Sequence, residues 1–335
     1  MKLIPRDAPH IHHNDSARTV MGDVILAMLP LYFIAFCFYG LRAPLLGLTS
    51  ALTCYLSDML CTKLRGSRVN LYDFSALVTG LLIPLMLPAT IGYLAVITAG
   101  LFAIVVVKHP FGGVGQNIFN PAAAGLAFVT ACWPDQVFRY PQLFEKLPVL
   151  GDAAVGTVNS TAYILKMGGV PSLDQSEMFL GILPGPMGAT NILVIIACLI
   201  FLSYRKTICL SQVGAFTLGV AAISMLMPRV AVGPFDSFFM EIMSGSLLFG
   251  AVFMVTDPAT IPKRWEGRVL YGLLAGIAAM LIRFYGGFEQ SIVYTILLLN
   301  IVTPVFDWVF ERYFVKKERR VEHALPKAAA SQKNS

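Results

Sequence analysis

The sequence predicts an all-α polytopic membrane protein with about ten transmembrane helices in two inverted five-helix halves. Hydrophobic residues make up 56% of the 335 residues and charged residues only 13%, well below the roughly 25% charged residues of a soluble domain. Apolar runs recur along the chain, many of them near the ~20 residues that cross a bilayer as a helix. Basic residues collect in alternate connections between these runs, which indicates a fixed orientation.

Ten apolar runs are candidate spans. The first lacks a small-residue cleavage site and opens a series of similar runs, so we interpret it as a retained helix and not as a signal peptide. Pro84, Pro88 and Pro304 lie within or at the ends of spans, where proline predicts kinks or broken helices. The predicted spans are residues 20–39, 43–62, 73–89, 91–107, 119–133, 188–203, 208–227, 238–255, 269–283 and 291–310.

The basic residues give the orientation. With the N-terminus in the cytoplasm, 19 of the 25 Lys and Arg residues lie on the cytoplasmic side, as the positive-inside rule requires. The net charge of +6 therefore reflects topology and does not indicate a nucleic-acid partner. The predicted parts are a cytoplasmic leader (1–19), a first half (20–133), an outer loop (134–187), a second half (188–310) and a cytoplasmic tail (311–335).

Two five-span halves joined by an outer loop would be inverted relative to each other. Inverted repeats of this kind hold ligands near the membrane midplane, at interrupted helices. The two polar insertions described next lie at matching ends of spans, so they are the first candidates for such a site.

The first insertion is the glycine-rich loop 111–121, which contains Gly112, Gly113, Asn117 and Asn120 and precedes span five. Irregular backbone at membrane depth is tolerated only where protein buries it or where it lines a cavity. Glycines let the backbone approach a ligand closely, and each asparagine offers both a donor and an acceptor. The loop therefore predicts a buried polar ligand.

The second insertion is Thr256-Asp257-Pro258, at the end of span eight. An ionisable residue near membrane depth is a functional candidate. The structural alternative is that Asp257 caps a short helix that begins at Pro258. Because the two insertions occupy matching places, we predict that Asn117, Asn120, Thr256 and Asp257 converge on one site. Caps of broken helices that bond only to each other are the alternative.

A metal site is not expected. The six cysteines form no C-x-x-C pair, and a thiol within an apolar run behaves as a small hydrophobe. The N-terminal His10-Ile11-His12-His13 lies in a polar leader without a supporting carboxylate pattern. No Ser-His-Asp or Cys-His arrangement indicates hydrolytic catalysis, so we assign no catalytic residues.

Together with the leader Ala8-Pro9-His10-Ile11 and the segment 181–190, these two insertions resemble those of a known family. The chain is similar to the D subunits of Rnf electron-transport complexes and, more distantly, to the B subunits of sodium-translocating NADH:quinone reductases. The resemblance runs from Pro9 to about Asp307.

The resemblance implies a flavoprotein subunit of a bacterial cytoplasmic-membrane complex that couples ferredoxin–NAD redox chemistry to Na⁺ or H⁺ movement. It implies FMN attached through its phosphate to a threonine of the outer loop, and as an option a second, non-covalent flavin such as riboflavin. The implied partners are the other membrane and peripheral subunits, including an outer-facing flavoprotein subunit, and membrane lipid.

The acceptor position departs from the family's Ser/Thr-Gly-Ala-Thr pattern. Counting from the start of the motif places the acceptor at Thr161, which we prefer. Counting back from Ile164-Leu165-Lys166 places it at Ser160. Thr190 ends a Gly-Ala-Thr sequence in a later turn and is a third choice. The absence of any covalent flavin is the remaining one.

Two other classes of function stay open at this point. Ten spans in inverted halves also suit a channel or transporter for a small polar solute. A flavin-free scaffold subunit is the third class, because the acceptor motif is incomplete.

The orientation is testable by labelling. In a variant without native cysteines, a cysteine placed at Gln142 should react with a membrane-impermeant maleimide from outside intact cells, because residues 134–187 are predicted to be external. A cysteine in the predicted cytoplasmic connection at Lys206 is the matched control and should stay unlabelled. Reaction of the Gln142 position only after the inner face is opened would reverse the orientation.

Overall fold

The computed structural model describes residues 17–66, 73–113, 115–151, 153, 155–286 and 289–324, with side chains up to residue 313. The predicted N-terminal leader therefore lies largely outside the described residues, as does the end of the predicted tail. Within the described residues almost all regular secondary structure is helical, and the strands form one two-residue pair.

The first half contains five apolar helices. A π-helical segment, Phe102–Lys108, directly continues the fourth. The fifth begins at an N-cap, where the Asn120 carboxamide oxygen accepts from the Ala123 amide at 3.1 Å and Pro121 fills the first position, as helix starts favour. The bounds are α1 Ala17–Tyr39, α2 Arg42–Leu64, α3 Ser75–Leu85, α4 Tyr93–Leu101 and α5 Pro121–Cys132.

The loop region between the halves folds into short elements. Ser160 caps α7 by accepting from the Tyr163 amide. Asp174 and Glu177 form a capping box at the start of α8, and Gly181 ends that helix in the left-handed conformation, φ 76°, a helix end that glycine favours. The elements are α6 Pro134–Val137, β1 Tyr140–Pro141, β2 Thr157–Val158, α7 Thr161–Lys166 and α8 Gln175–Leu180, with β1 and β2 antiparallel.

The second half contains six helices. Predicted span eight is not one helix: it breaks at Ser244–Ser246, where Gly245 has a φ of +68°, and the two pieces differ in direction by 62°. Pro304, in contrast, lies inside a continuous helix. The bounds are α9 Ile192–Tyr204, α10 Leu210–Leu226, α11 Pro234–Met243, α12 Leu247–Phe253, α13 Trp265–Tyr285 and α14 Ser291–Ala324.

The helices identify a multi-pass membrane protein. Four are long and apolar enough to cross a bilayer, namely α1, α2, α13 and the first part of α14, and the bent pair α11–α12 makes a fifth. Five further apolar helices are shorter. Helix α3 ends one residue after Pro84, so predicted span 73–89 is helical only over its first part. The count of ten spans and the inverted halves stay predictions.

Interrupted helices leave backbone carbonyls without helical partners, and buried side chains from distant helices donate hydrogen bonds to these carbonyls. Beyond the end of α3, Gln290 Nε2 donates to the Met86 carbonyl at 2.7 Å, and Arg42 donates to those of Ala89 and Ile91. Beyond the end of α12, Gln212 Nε2 donates to the Val255 carbonyl at 2.7 Å. These bonds hold the broken spans in place, because an unmet buried carbonyl is costly.

Ion pairs join groups that the charge rule assigns to the same face. Arg205 pairs with Asp23 on the predicted inner face. On the predicted outer face, Glu241 lies between Arg229 and Arg283, at 2.6 Å and 2.9 Å. The arrangement is thus consistent with the alternation of spans that the basic residues predict.

Helices α10 and α13 meet along small residues. A Cβ atom on Gly276 would lie 2.1 Å from the Phe216 carbonyl oxygen, and one on Gly272 would lie 2.4 Å from that of Gln212. Four-residue spacing of small residues lets membrane helices approach to backbone contact. Neither position has room for a side chain.

We expect Gly276→Ala to destabilise the second half, because its methyl group would force α10 and α13 apart. The matched control is Gly214→Ala on α10, where a Cβ meets nothing within 4 Å. Thermal unfolding in detergent, followed by loss of monodisperse protein, should show a lower transition temperature for Gly276→Ala only. Equal transition temperatures would mean that the two helices are not packed in this way.

Candidate functional site

The two polar insertions line one cleft. We call it the Asp257 cavity, and its walls come from α1, α3, the glycine-rich loop and the segment after α12. All four residues predicted to converge contribute to its lining: Asn117, Asn120, Thr256 and Asp257. Gly112 and Gly113 are not among its lining residues, and of this loop's glycines only Gly115 is.

Asn120 and Asp257 make the direct contact across the cavity. Asn120 Nδ2 donates to Asp257 Oδ2 at 3.0 Å, while its carboxamide oxygen caps α5. Asp257 also accepts from the Ala259 amide and from the Thr260 hydroxyl. The bond joins residues 137 positions apart in the chain, so it ties the two halves together.

The other two predicted residues bond locally. Thr256 Oγ1 donates to the Val252 carbonyl of the preceding helix, α12, at 2.6 Å. The Asn117 side-chain amide nitrogen faces the backbone carbonyls of Lys108 and Gly113 and donates to both. The four residues therefore share a cavity, but only Asn120 and Asp257 bond to each other.

Lys108 supplies a cation to the same cavity. It is the last residue of the π-helical segment, and its ammonium lies 2.9 Å from Asp58, 3.6 Å from Asp73 and 2.8 Å from the Ser75 hydroxyl. His109 Nε2 lies 2.9 Å from the same Asp58 oxygen. In the sequence Asp58 and Asp73 are isolated acidic residues at the ends of spans. Their contact with Lys108 could not be predicted, because it depends on how α2, α3 and the segment after α4 pack.

The charge of Asp257 depends on its surroundings. Burial raises the pKa of this carboxyl, while the hydrogen bonds from Ala259, Thr260 and Asn120 act in the opposite direction. Burial disfavours the charged form of a carboxyl, and donors that bond to it favour that form. A ligand that changes these contacts would change the protonation of Asp257.

The cavity is narrow. It has room for water-sized molecules over about 70 Å³, whereas pockets for small organic ligands measure about 300–1,000 Å³. Two or three water molecules fit. A flavin ring system requires the walls to move apart or must lie in the open mouth of the cleft.

The three predicted acceptor hydroxyls are all buried. The exposed fraction is 3% for Ser160, 1% for Thr161 and 1% for Thr190. Ser160 caps α7 and bonds to Glu289. The Thr161 hydroxyl, in contrast, finds no hydrogen-bond partner among the described residues.

Thr190 lies in the turn before α9, and this turn docks on the end of α3. The Met187 amide donates to the Leu87 carbonyl and the Gly188 amide to that of Leu85. The methyl group of Thr190 lies so near Gly185 that a Cβ there would approach it to 2.7 Å. This turn is a packed structural element.

Metal ligation finds no support in the part of the chain that the structure describes. No group of three His, Cys, Asp or Glu side chains there lies close enough together to hold an ion. Asp58 and Asp73 are already paired with the Lys108 ammonium.

Comparison with known proteins places the chain among electron-transport subunits. A model of the NQR2, RnfD, RnfE family matches residues 4–316. The chain is 32% identical over 311 residues to the D subunit of the proton-translocating ferredoxin:NAD(+) oxidoreductase complex of Clostridium ljungdahlii, covering 90% of this chain and 92% of that protein. It is 29% identical over 327 residues to the Na(+)-translocating counterpart of Acetobacterium woodii, covering 96% and 99%. The D subunit of the ion-translocating oxidoreductase complex of Haemophilus ducreyi is 28% identical over 90% of this chain and 95% of its own length.

The non-covalent flavin predicted for the Asp257 cavity is testable by extraction. If the cavity holds flavin, Asp257→Asn and Asn120→Ala should each lower the flavin that acid releases from the purified complex, because both disrupt the bond between the walls. Asp307→Asn is the matched control, since Asp307 accepts from the Lys263 amide and does not line the cavity. Unchanged acid-released flavin in both variants, with electron transfer intact, would mean that these residues only cap broken helices.

Proposed function

The chain belongs to the NQR2, RnfD, RnfE family, and from this we propose that it is the D subunit of an ion-translocating ferredoxin:NAD oxidoreductase complex. It works in a bacterial cytoplasmic membrane, with both termini in the cytoplasm. It passes electrons through covalently bound FMN, and this transfer is coupled to Na⁺ or H⁺ transport. The family match over residues 4–316 carries the proposal. The polar residues of the Asp257 cavity and the buried hydroxyls around the start of α7 support it.

Thr161 is the preferred FMN acceptor, because its hydroxyl is buried and has no hydrogen-bond partner among the described residues. A buried hydroxyl without a hydrogen bond costs about 1–3 kcal/mol. A phosphoester removes that donor and gives the oxygen a covalent partner. Ser160 is already engaged as the cap of α7 and as the partner of Glu289, and Thr190 belongs to the packed turn before α9.

The residues around Thr161 fit a phosphoester, which is anionic. Glu241 neutralises one of its two arginine neighbours, Arg229 and Arg283, so this triad carries a surplus positive charge. Arg283 lies beside the same glycine, Gly245, that faces Ala162 of α7. A phosphate on α7 would therefore lie near the Arg283 guanidinium, which favours it, and it would share that charge with the carboxyl groups of Glu241 and Glu289.

The role of the protein is to bind, orient and electrostatically tune the flavin, while the redox chemistry belongs to the cofactor. Burial of Thr161 excludes water from the attachment point. The same burial requires that α7 leave its packed position when the flavin is attached, since an enzyme has no access to a hydroxyl that is 1% exposed.

Short repeated sequences support the inverted halves. Pro-Ala-Thr-Ile occurs at 88–91, after α3, and again at 258–261, after α12. The pattern Gly-Gly-x-x-Gln-x-Ile occurs at 112–118, before α5, and at 286–292, across the start of α14. The first repeat relates predicted span three to span eight, and the second relates span five to span ten. These spans cross the membrane in opposite directions if the predicted alternation holds.

The covalent site is testable in a gel. Expressed with its flavin-transfer enzyme, the wild-type chain should fluoresce under ultraviolet light after denaturation, and Thr161→Ala should stay dark. Ser160→Ala is the matched control. It should keep its fluorescence although it removes a helix cap worth about 1 kcal/mol.

Peptide mass mapping decides between the acceptors. An FMN adduct on Ser160 or Thr190 would overturn the assignment to Thr161. A wild-type band that stays dark with an active transfer enzyme would instead support a flavin-free scaffold or a transporter of small polar solutes.

A further inference from the structure

The repeated sequences assign a counterpart to the Asp257 cavity on the opposite face. On the predicted inner face, Asn120 before α5 meets the segment after α12. On the predicted outer face, Gln290 before α14 meets the segment after α3 through the Met86 carbonyl. Both contacts join the start of one span to the broken end of another. Each face thus contains a junction between corresponding segments, next to the repeated Pro-Ala-Thr-Ile and Gly-Gly-x-x-Gln-x-Ile sequences. The contacting residues themselves differ, because Gln290 belongs to its repeat whereas Asn120 follows the other copy by two residues.

Each junction contains one carboxyl group within or directly next to a repeated sequence. In the inner junction it is Asp257, in the segment after α12. In the outer junction it is Glu289, which precedes α14 and stands where the first repeat has Gly115. Glu289 is inconspicuous in the sequence, because only an alignment of the two halves shows its position.

Glu289 lies in a polar cluster, which we call the Glu289 cluster: Tyr39, Tyr140, Ser160, Glu289 and Gln290. The Ser160 hydroxyl bonds to the Glu289 carboxylate. Tyr140 lies against both Glu289 and Gln290, and Tyr39 lies near Tyr140. The cluster joins α1, β1, the start of α7 and the start of α14.

Three buried polar atoms at or directly next to this cluster have no partner among the described residues: Tyr39 Oη, Gln290 Oε1 and Ser291 Oγ. Each belongs to a residue that is at most 2% exposed. Buried oxygens that bond to nothing within the protein are usual where water or an exchangeable group completes the network. Glu289 itself is only partly buried, so its carboxyl can exchange with the outside.

The charged groups around Glu289 set the balance between its two states. Burial is the dominant influence and raises the pKa of the carboxyl. The Ser160 hydrogen bond, Arg283, Lys166 and the Tyr140 hydroxyl act in the opposite direction, in that order.

Arg283 does not neutralise Glu289 fully, because its guanidinium is already paired. It donates to the Glu241 carboxylate at 2.9 Å, and Glu241 also pairs with Arg229. Protonated and ionised Glu289 are therefore both compatible with the surrounding charges. In the ionised state Ser160 donates to the carboxylate, and in the neutral state the carboxyl can donate to Ser160.

We propose that the Glu289 cluster is a proton-binding site on the outer face, equivalent by the internal repeat to the Asp257 cavity on the inner face. Glu289 takes up one proton from external water as a neutral carboxylic acid and returns it to the same water as a carboxylate. Ser160 and Tyr140 position the carboxyl, and the unpartnered oxygens hold the water that connects it to the surface. The site does not depend on a bound flavin, so it stands or falls separately from the proposed cofactor.

Infrared spectroscopy of the intact purified complex tests this site. A pH titration should show the carbonyl stretch of a protonated carboxylic acid that disappears above the ordinary glutamate pKa of about 4.3. Glu289→Gln should remove one component of that band, which Asp257→Asn should leave in place. Ser160→Ala should move its disappearance to higher pH, because the hydrogen bond that favours the ionised form is gone.

Glu177→Gln is the matched control from the same loop region, since glutamine also completes a capping box, and it should keep the band. A band that is unchanged in Glu289→Gln, or no acid band titrating above the ordinary value in the wild type, would overturn the proposal. A band that responds to Na⁺ concentration at fixed pH would replace the proton by a sodium ion and also overturn it. Because this measurement reports on the carboxyl group itself, the absence of covalent flavin in the fluorescence experiment would not affect its result.

Discussion

The architecture depends on one constraint: a helix that breaks inside a membrane must find hydrogen-bond partners for the carbonyls it exposes. Lipid offers none. In this chain the partners are long buried side chains from distant helices, including Arg42, Gln212 and Gln290, and their bonds bridge the gaps between spans. Satisfying the backbone and assembling the tertiary structure are thus one event. Removing such a side chain would leave both a carbonyl and a cavity unfilled.

The same constraint explains why the polar residues with functional promise are structural as well. Asn120 caps α5 with its oxygen and reaches Asp257 with its nitrogen. Ser160 caps α7 and holds Glu289. A site built from helix ends is rigid, because its side chains are fixed by the backbone they complete. It is also sensitive, because a change in protonation of either acid alters a bond on which a helix terminus depends.

Much of this could be predicted from the sequence, for identifiable reasons. Apolar runs placed most of the helices correctly, since bilayer thickness acts on composition alone, while the orientation that the basic residues indicate stays a prediction. The shared cavity of Asn120 and Asp257 was predicted on the premise that the two insertions occupy matching places in the two halves. The cavity is present, but the premise was wrong, because the internal repeats pair 112–118 with 286–292 and 258–261 with 88–91. The break at Gly245 was not predicted, because an apolar run shows no interruption where one glycine adopts a left-handed conformation. Nor were the ion pairs of Lys108 with Asp58 and Asp73, because side chains from separate segments meet only once the helices are packed. Glu289 was missed although the repeated glycine-glutamine pattern marks its place.

The last helix, α14, has a consequence for the shape of the molecule. It runs for 34 residues, or about 51 Å at 1.5 Å per residue, whereas the hydrocarbon core is about 30 Å thick. An uninterrupted helix of that length cannot be contained by the bilayer, so several of its turns stand in the aqueous phase as a rigid post. This projecting part of α14 has a fixed length and direction relative to the membrane surface. Any subunit that packs along it is held at a defined distance from the headgroups. Bending at the membrane boundary is resisted by the backbone hydrogen bonds that follow Pro304, which has no N–H of its own to donate.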